Sequence, residues 1–179
     1  SHTTSVVNLA RIDLRAGDES AARARLERFV ERNPGDALAL TFYAELVQRG
    51  GDLETARRLL QRVRSVDPDA VAARQRLAQL YVTAGEYEQA EIVAREVVEL
   101  RPQSSAAHNT LGVVLTSLGR TEDSLEYFRQ AVRLAPEDVE PLRNLARAEV
   151  ITGQYARAGE TTEQLLRAAP DDAVGLELA

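Results

Sequence analysis

The sequence predicts an all-α fold, a solenoid of stacked antiparallel helix pairs. Two observations predict it. Five columns of residues recur at a fixed step of 34 along the chain, and within each step the apolar residues fall at helical spacing. Pro34, Pro68, Pro102, Pro136 and Pro170 form one column, and Gly17, Gly51, Gly85, Gly119 and Gly153 a second. Small residues form two more: Ala10, Ala44, Ala78, Gly112 and Ala146, then Ala22, Ala56, Ala90, Ser124 and Ala158. A large apolar residue precedes the first small column at Leu9, Tyr43, Leu77, Leu111 and Leu145. The register runs without insertion or deletion.

Each column has a physical reason. The glycine falls between two helices, where a left-handed residue ends the first at low steric cost. The proline falls after the second helix, whose ladder it cannot continue. The two small columns face each other where paired helices cross, and a large side chain there would overpack the contact at roughly 1–3 kcal/mol. The large apolar column fills the gap between neighbouring units. No unit buries its apolar stripe alone, so the array is stable only by stacking.

The elements follow in order. The first repeat, residues 3–36, has a first helix with Val6, Leu9, Ala10, Ile12 and Leu14 apolar and Asp13 expected on a solvated side. Its second helix, Glu19 to Arg32, carries Ala22, Leu26 and Phe29 on one face. The second repeat, 37–70, is expected to have a looser turn at Gly50-Gly51 and a buried stripe of Leu53, Ala56, Leu60 and Val63. The third, 71–104, has Tyr81 late in its first helix and Tyr87 just after the turn. The fourth, 105–138, places His108 in a packing column, followed by Leu111, Gly112, Leu115, Ser124, Phe128 and Pro136. The fifth, 139–172, has Leu142, Leu145, Ala146, Ala158 and Leu165. Its Glu149 stands in the Asp13 column and is expected to be solvated, or paired by a further unit. Residues 173–179 read as the opening of a further or capping helix.

Composition narrows the functional classes. Of the 179 residues 44% are hydrophobic and only 4% aromatic, which suits thin helix-on-helix packing in one continuous array. No apolar run approaches the ~18 residues of a membrane helix, so direct membrane insertion is not expected. No signal peptide is visible. Without cysteine there is no disulfide and no thiolate metal site. The compartment stays open between cytoplasm and periplasm. The net charge is −6 and the basic residues are not interleaved with aromatics, which argues against nucleic acid. No enzyme and no cofactor are expected. The one histidine outside the leading Ser1-His2 is His108 in its packing column, and a phosphate-binding loop would need the lysine this chain lacks. Acidic pairs such as Glu86 and Glu88 lie at helix starts, where carboxylates complement the dipole. All 22 basic residues are arginine, which points to a GC-rich bacterial source. Ser1-His2 reads as a tag remnant, and the absence of methionine and the ending in mid-helix read as an excised segment of a longer protein.

The stretch from Ser105 to Asp138 resembles the tetratricopeptide pattern W-x2-L-G-x2-Y…A-x3-F…P, with His108, Leu115 and Ser124 in place of Trp, Tyr and Ala. Because the other repeats keep its register, the resemblance covers 3–172. It implies a right-handed superhelix acting as a protein–protein interaction scaffold, with the first helices lining a concave groove. The family's groove positions fall here on Arg11, Arg15, Thr41, Glu45, Gln48, Arg49, Gln75, Arg76, Gln79, Asn109, Thr110, Thr116, Glu140, Arg143, Asn144 and Arg147. Amides and guanidinia at regular intervals can hydrogen-bond an extended peptide and grip its carboxylates. The first-helix segments hold seven Arg (Arg11, Arg15, Arg49, Arg74, Arg76, Arg143, Arg147) and four acids (Asp13, Glu45, Glu140, Glu149), a net of +3, so the remainder of the chain carries −9. That partition favours an acidic or C-terminal peptide as partner.

Two groove chemistries known in the family are not reproduced. The Lys/Asn, Asn and Lys/Arg set that holds a C-terminal carboxylate would fall on Val7, Arg11, Phe42, Ala72 and Arg76, and in the next registers on equally mismatched residues. The sixth-position column reads Asn8, Phe42, Arg76, Thr110, Asn144 and is no asparagine ladder. The reading is therefore a non-catalytic scaffold that binds a peptide or partner segment. The alternatives are a spacer or self-association module, and a regulatory domain of a larger protein.

Overall fold

The structure, a computed structural model, describes residues 2–178. Among these residues it forms eleven α-helices and no strand. They are α1 (His2–Arg15), α2 (Glu19–Arg32), α3 (Ala37–Arg49), α4 (Leu53–Val66), α5 (Val71–Ala84), α6 (Tyr87–Leu100), α7 (Ser105–Ser117), α8 (Thr121–Leu134), α9 (Val139–Ile151), α10 (Tyr155–Ala168) and α11 (Ala173–Leu178).

The glycine and proline columns set these boundaries. Gly17, Gly51, Gly85, Gly119 and Gly153 all have φ between 74° and 84°. After each glycine the next amide reaches back five residues, from Asp18 to Asp13, Asp52 to Val47, Glu86 to Tyr81, Arg120 to Leu115 and Gln154 to Glu149, at 2.8–2.9 Å. This is the closure that a left-handed residue after a helix permits. The turn at Gly50-Gly51 is no looser than the others, because Gly50 keeps right-handed geometry (φ −73°) and Asp52 makes the same bond. The second helices end otherwise. The amides of Asn33, Asp67, Arg101, Ala135 and Ala169 bond carbonyls four residues back, and proline follows each. Side chains of Asp18, Asp36, Asp52 and Ser104 cap the next helices by accepting from the amide three residues on, each worth about 0.5–2 kcal/mol.

The chain divides into two compact units, Ser1–Leu80 and Tyr81–Ala179, with the boundary inside α5. In the first, α1 packs on α2 and α3 on α4 as antiparallel pairs, α2 packs on α3, and α1 lies beside α3. In the second, α7 packs on α8 and α9 on α10 in the same way, while α6 packs on α7, α8 on α9, and α7 beside α9. The short α11 packs on α9 and α10. In each unit the first helices form one layer and the second helices another.

The small columns are fully buried at Ala10, Ala22, Ala44, Ala56, Ala78, Ala90, Ser124 and Ala146. Gly112 shows why size matters there. A Cβ on it would lie 2.5 Å from Cε1 of Phe128, whose ring occupies the crossing of α7 and α8. Phe128 is in turn packed with Leu125, Leu145 and Ala148. His108 is buried, with Nε2 donating to the Pro102 carbonyl at 2.8 Å and its ring stacked near Tyr127.

Four further expectations are corrected. Leu53, placed in the buried stripe of α4, is 40% exposed, while Ala56, Leu60 and Val63 of that stripe are buried. Leu9 does not fill a gap between units: it is 44% exposed and Ile12 58%, although their counterparts Tyr43 and Leu46, Leu77 and Leu80, and Leu111 and Val114 are buried. Later first helices pack against a preceding second helix, as α7 does on α6; among the described residues α1 has none before it. Glu149 is neither solvated nor paired by a further unit. It is 2% exposed and accepts from Thr161 Oγ1 at 2.8 Å and from Arg129 Nη2 at 3.4 Å. Asp13 accepts from Arg25 Nε at 2.8 Å and is half-buried. In both, a second-helix side chain satisfies the carboxylate, as an acid in a closely packed crossing requires.

Candidate functional site

In the unit Ser1–Leu80, residues four apart on α1 and α3 share one helix face. Arg11 and Arg15 on α1, Phe42, Glu45 and Arg49 on α3 and Arg76 on α5 line one open cavity of about 690 Å³, together with Gln48 and Leu14. The Arg11 guanidinium lies over the Phe42 ring, 5.2 Å from its centroid, a contact worth about 0.5–1 kcal/mol at an exposed site. It fixes Arg11 without consuming its hydrogen-bond donors. Arg76 pairs with Glu45 at 2.8 Å. The side chains of Arg15, Gln48 and Arg49 make no hydrogen bond or ion pair among the described residues. Four guanidinium groups thus face one cavity against a single carboxylate, which leaves a local charge of +3. A concavity lined by one sign of charge concentrates the field on a counter-charged ligand.

Six predicted groove residues meet here: Arg11, Arg15, Glu45, Gln48, Arg49 and Arg76. Thr41 does not join them, and its hydroxyl donates to the Ala37 carbonyl of its own helix at 2.7 Å. Gln75 is half-buried and Gln79 exposed, both outside the cavity. Arg74, counted in the basic set, is buried with Nη1 directed at the Asp67 and Ala70 carbonyls. Its charge serves the end of α4, not the cavity. Phe42, which stands in the sixth-position column but is not polar, joins the cavity residues beneath Arg11.

In the unit Tyr81–Ala179 the predicted residues separate. Asn144 Nδ2 donates to Asn109 Oδ1 at 2.9 Å, an amide pair across α9 and α7. Thr116 Oγ1 lies 3.0 Å from the Gly112 carbonyl and 3.1 Å from Ser124 Oγ, so its hydrogen is used within the α7–α8 crossing. Arg143 donates through Nε and Nη2 to Asp172 Oδ2, and through Nη1 to Glu140 at 2.6 Å. Asp172 also accepts from the amides of Val174 and Gly175 at the start of α11. The Arg143 guanidinium, then those amides, hold the Asp172 carboxyl below its ordinary 3.8. Arg143 is therefore engaged in seating α11. Arg147 is exposed and unpaired among the described residues. With Asn144 and Thr116 it borders a second cavity of about 190 Å³, whose other walls include Val113, Phe128, Ala148 and Ile151.

Among the described residues no group of three or more His, Asp or Glu side chains could hold a metal ion, and no helix is long and apolar enough to cross a membrane. The layered helix pairs and their polar first-helix faces define a helical-repeat scaffold. Two family models, both described as tetratricopeptide repeat, match the chain, one over residues 49–113 and 115–178 and the other over 7–64. The chain belongs to the tetratricopeptide repeat family, whose fold is that of protein–protein interaction scaffolds. No curated protein matches it in sequence. Among solved structures, MamA (residues 41 to the end) from Desulfovibrio magneticus RS-1 is 20% identical with a TM-score of 0.84, over 96% of this chain and 97% of that one. PilF of Pseudomonas aeruginosa is 19% identical with a TM-score of 0.81, over 98% and 80% of the two chains. YrrB, described as a TPR protein with an unusual peptide-binding site, is 16% identical with a TM-score of 0.81, over 96% and 89%. At these identities the likeness is one of fold.

Proposed function

We propose that the chain is a non-catalytic scaffold, an array of five repeats over 3–172, that binds an extended acidic segment of a partner protein on its first-helix faces. The cavity in the unit Ser1–Leu80 is the principal contact. The observation that carries this reading is the set of four guanidinium groups around that cavity, with Arg15 and Arg49 unpaired among the described residues. Unpaired guanidinium groups offer bidentate geometry to carboxylates. The fold supports a binding role, and YrrB carries a peptide-binding site on the same fold.

The test is selection of short random phage-displayed peptides on the full chain. Enriched clones rich in Asp and Glu are expected, and an Arg15→Glu, Arg49→Glu variant should lose them. Clones without acidic enrichment, or acidic clones that the variant retains equally, contradict the reading.

A second reading, self-association, is favoured by one observation: Leu9 and Ile12 are exposed in columns that are buried in the later first helices. It predicts a mass that rises with concentration and becomes constant in a Leu9→Glu, Ile12→Glu variant. A constant monomer mass in the parent rejects it.

A further inference from the structure

The smaller cavity of the unit Tyr81–Ala179 has a character the fold does not require. Its walls are Val113, the Phe128 ring, Ala148 and Ile151, with Asn144 and Arg147 at the rim. Ile151 is 66% exposed. The same column elsewhere holds Arg15, Arg49, Thr83 and Ser117, all polar. An isoleucine left in water at a position served elsewhere by polar residues contributes little to folding. The Phe128 ring reaches this wall because Gly112 has no Cβ to block it. The other small-column positions are alanine, facing Leu26, Leu60, Ala94 or Thr162 in the Phe128 column, so no other repeat has this aromatic wall.

We propose that this cavity is an anchor pocket for one large apolar side chain of a peptide, with an adjacent carboxylate of that peptide on Arg147. The inference rests on the reading that first-helix faces bind an acidic segment, and adds a second, chemically different subsite. Size fits: in another protein an apolar cavity of about 150 Å³ stays dry and takes a benzene ring, and this one is about 190 Å³. An aromatic or branched aliphatic side chain fills such a space. Charge fits as well, since Arg147 is unpaired among the described residues and stands at the rim. Asn144 is fixed by its bond to Asn109, and its own Oδ1 remains as an acceptor for a peptide N–H. A few fixed polar groups around an apolar hollow are the usual make-up of a specific pocket.

The test uses the same phage selection on the full chain, with Ile151→Asp and Arg147→Glu as variants. Ile151 and Arg147 are exposed, so both variants should melt like the parent. Enriched clones should carry Phe, Leu, Ile or Met beside Asp or Glu. A synthetic peptide of the leading clone should bind at least about tenfold more weakly to either variant, and equally weakly to the parent once its apolar residue is alanine. Clones that need Arg15 and Arg49 but bind the Ile151→Asp variant normally overturn the pocket and leave the proposed function standing. Clones that need Ile151 and Arg147 but are indifferent to Arg15 and Arg49 support the pocket and overturn the first site. Clones without an apolar residue, or no enrichment at all, overturn the pocket. A concentration-dependent mass that Ile151→Asp abolishes assigns the patch to a second copy and also overturns it.

Discussion

Gly112→Ala tests the packing account at its tightest point. The added methyl carbon would lie 2.5, 2.6 and 2.9 Å from three carbons of the Phe128 ring, well inside the 3.5–4.0 Å optimum for carbon pairs. The ring is buried against Leu125, Leu145 and Ala148, so it cannot swing away freely. Overpacking of this kind costs about 1–3 kcal/mol, and contacts this short point to the upper end. Against it stands the gain of about 1 kcal/mol when alanine replaces a mid-helix glycine. The net is a loss near 2 kcal/mol. Replacing Phe128 by leucine removes the ring atoms, and in that background Gly112→Ala should be neutral or stabilising. Urea unfolding of the four proteins in this cycle gives the coupling directly, expected above about 1 kcal/mol for residues in contact. If Gly112→Ala stabilises the parent as much as it stabilises the Phe128→Leu protein, the ring is not what demands glycine, and the reasoning fails.

Other outcomes follow from the same packing and ion pairs. Ala90 is fully buried, so Ala90→Leu should lower stability by about 1–3 kcal/mol; a melting curve unchanged from the parent would mean that the small column is not a crossing. Arg143→Ala should loosen α11 by removing the partner of Asp172, seen as faster amide exchange at Val174 and Gly175, and exchange as slow as in the parent would return Arg143 to the ligand-facing set. Acid should weaken the fold through Glu91, Asp52 and Asp172. Arg95 and then Arg120 hold the Glu91 carboxyl below its ordinary 4.5, and Arg23 and Arg143 hold Asp52 and Asp172 below 3.8. Lowered folded-state values mean that the unfolded chain takes up protons first, so this stabilisation is complete above the ordinary values and is lost as pH falls through the lowered ones. The melting temperature should be level from about pH 7 to 5 and fall below about 4.5; a fall beginning near neutrality would place the controlling group elsewhere.

The helical fold was legible because each junction is made by one residue type with one physical job. A glycine at φ near +80° and a proline after each second helix announce themselves in the sequence. The site was legible in part. Arg11, Arg15, Glu45 and Gln48 meet because four-residue spacing on adjacent first helices carries over into space. Arg143, one of the groove positions, pairs with Asp172, which is 29 residues away at the cap of α11, and no local pattern announces such a pair. Glu149 was misjudged for the same reason, its partners Arg129 and Thr161 lying on second helices. Ile151 and Val113 are absent from the groove set because it holds polar side chains only. The polar column that Ile151 interrupts was the available signal.

The most direct test of the central claim is the affinity of a selected acidic peptide for the parent and for the Arg15→Glu, Arg49→Glu variant, followed by fluorescence anisotropy at low and high salt. The account predicts binding that weakens as salt rises and is lost in the variant, whose melting is unchanged because both arginines are exposed. Binding that is indifferent to salt and retained by the variant would contradict it.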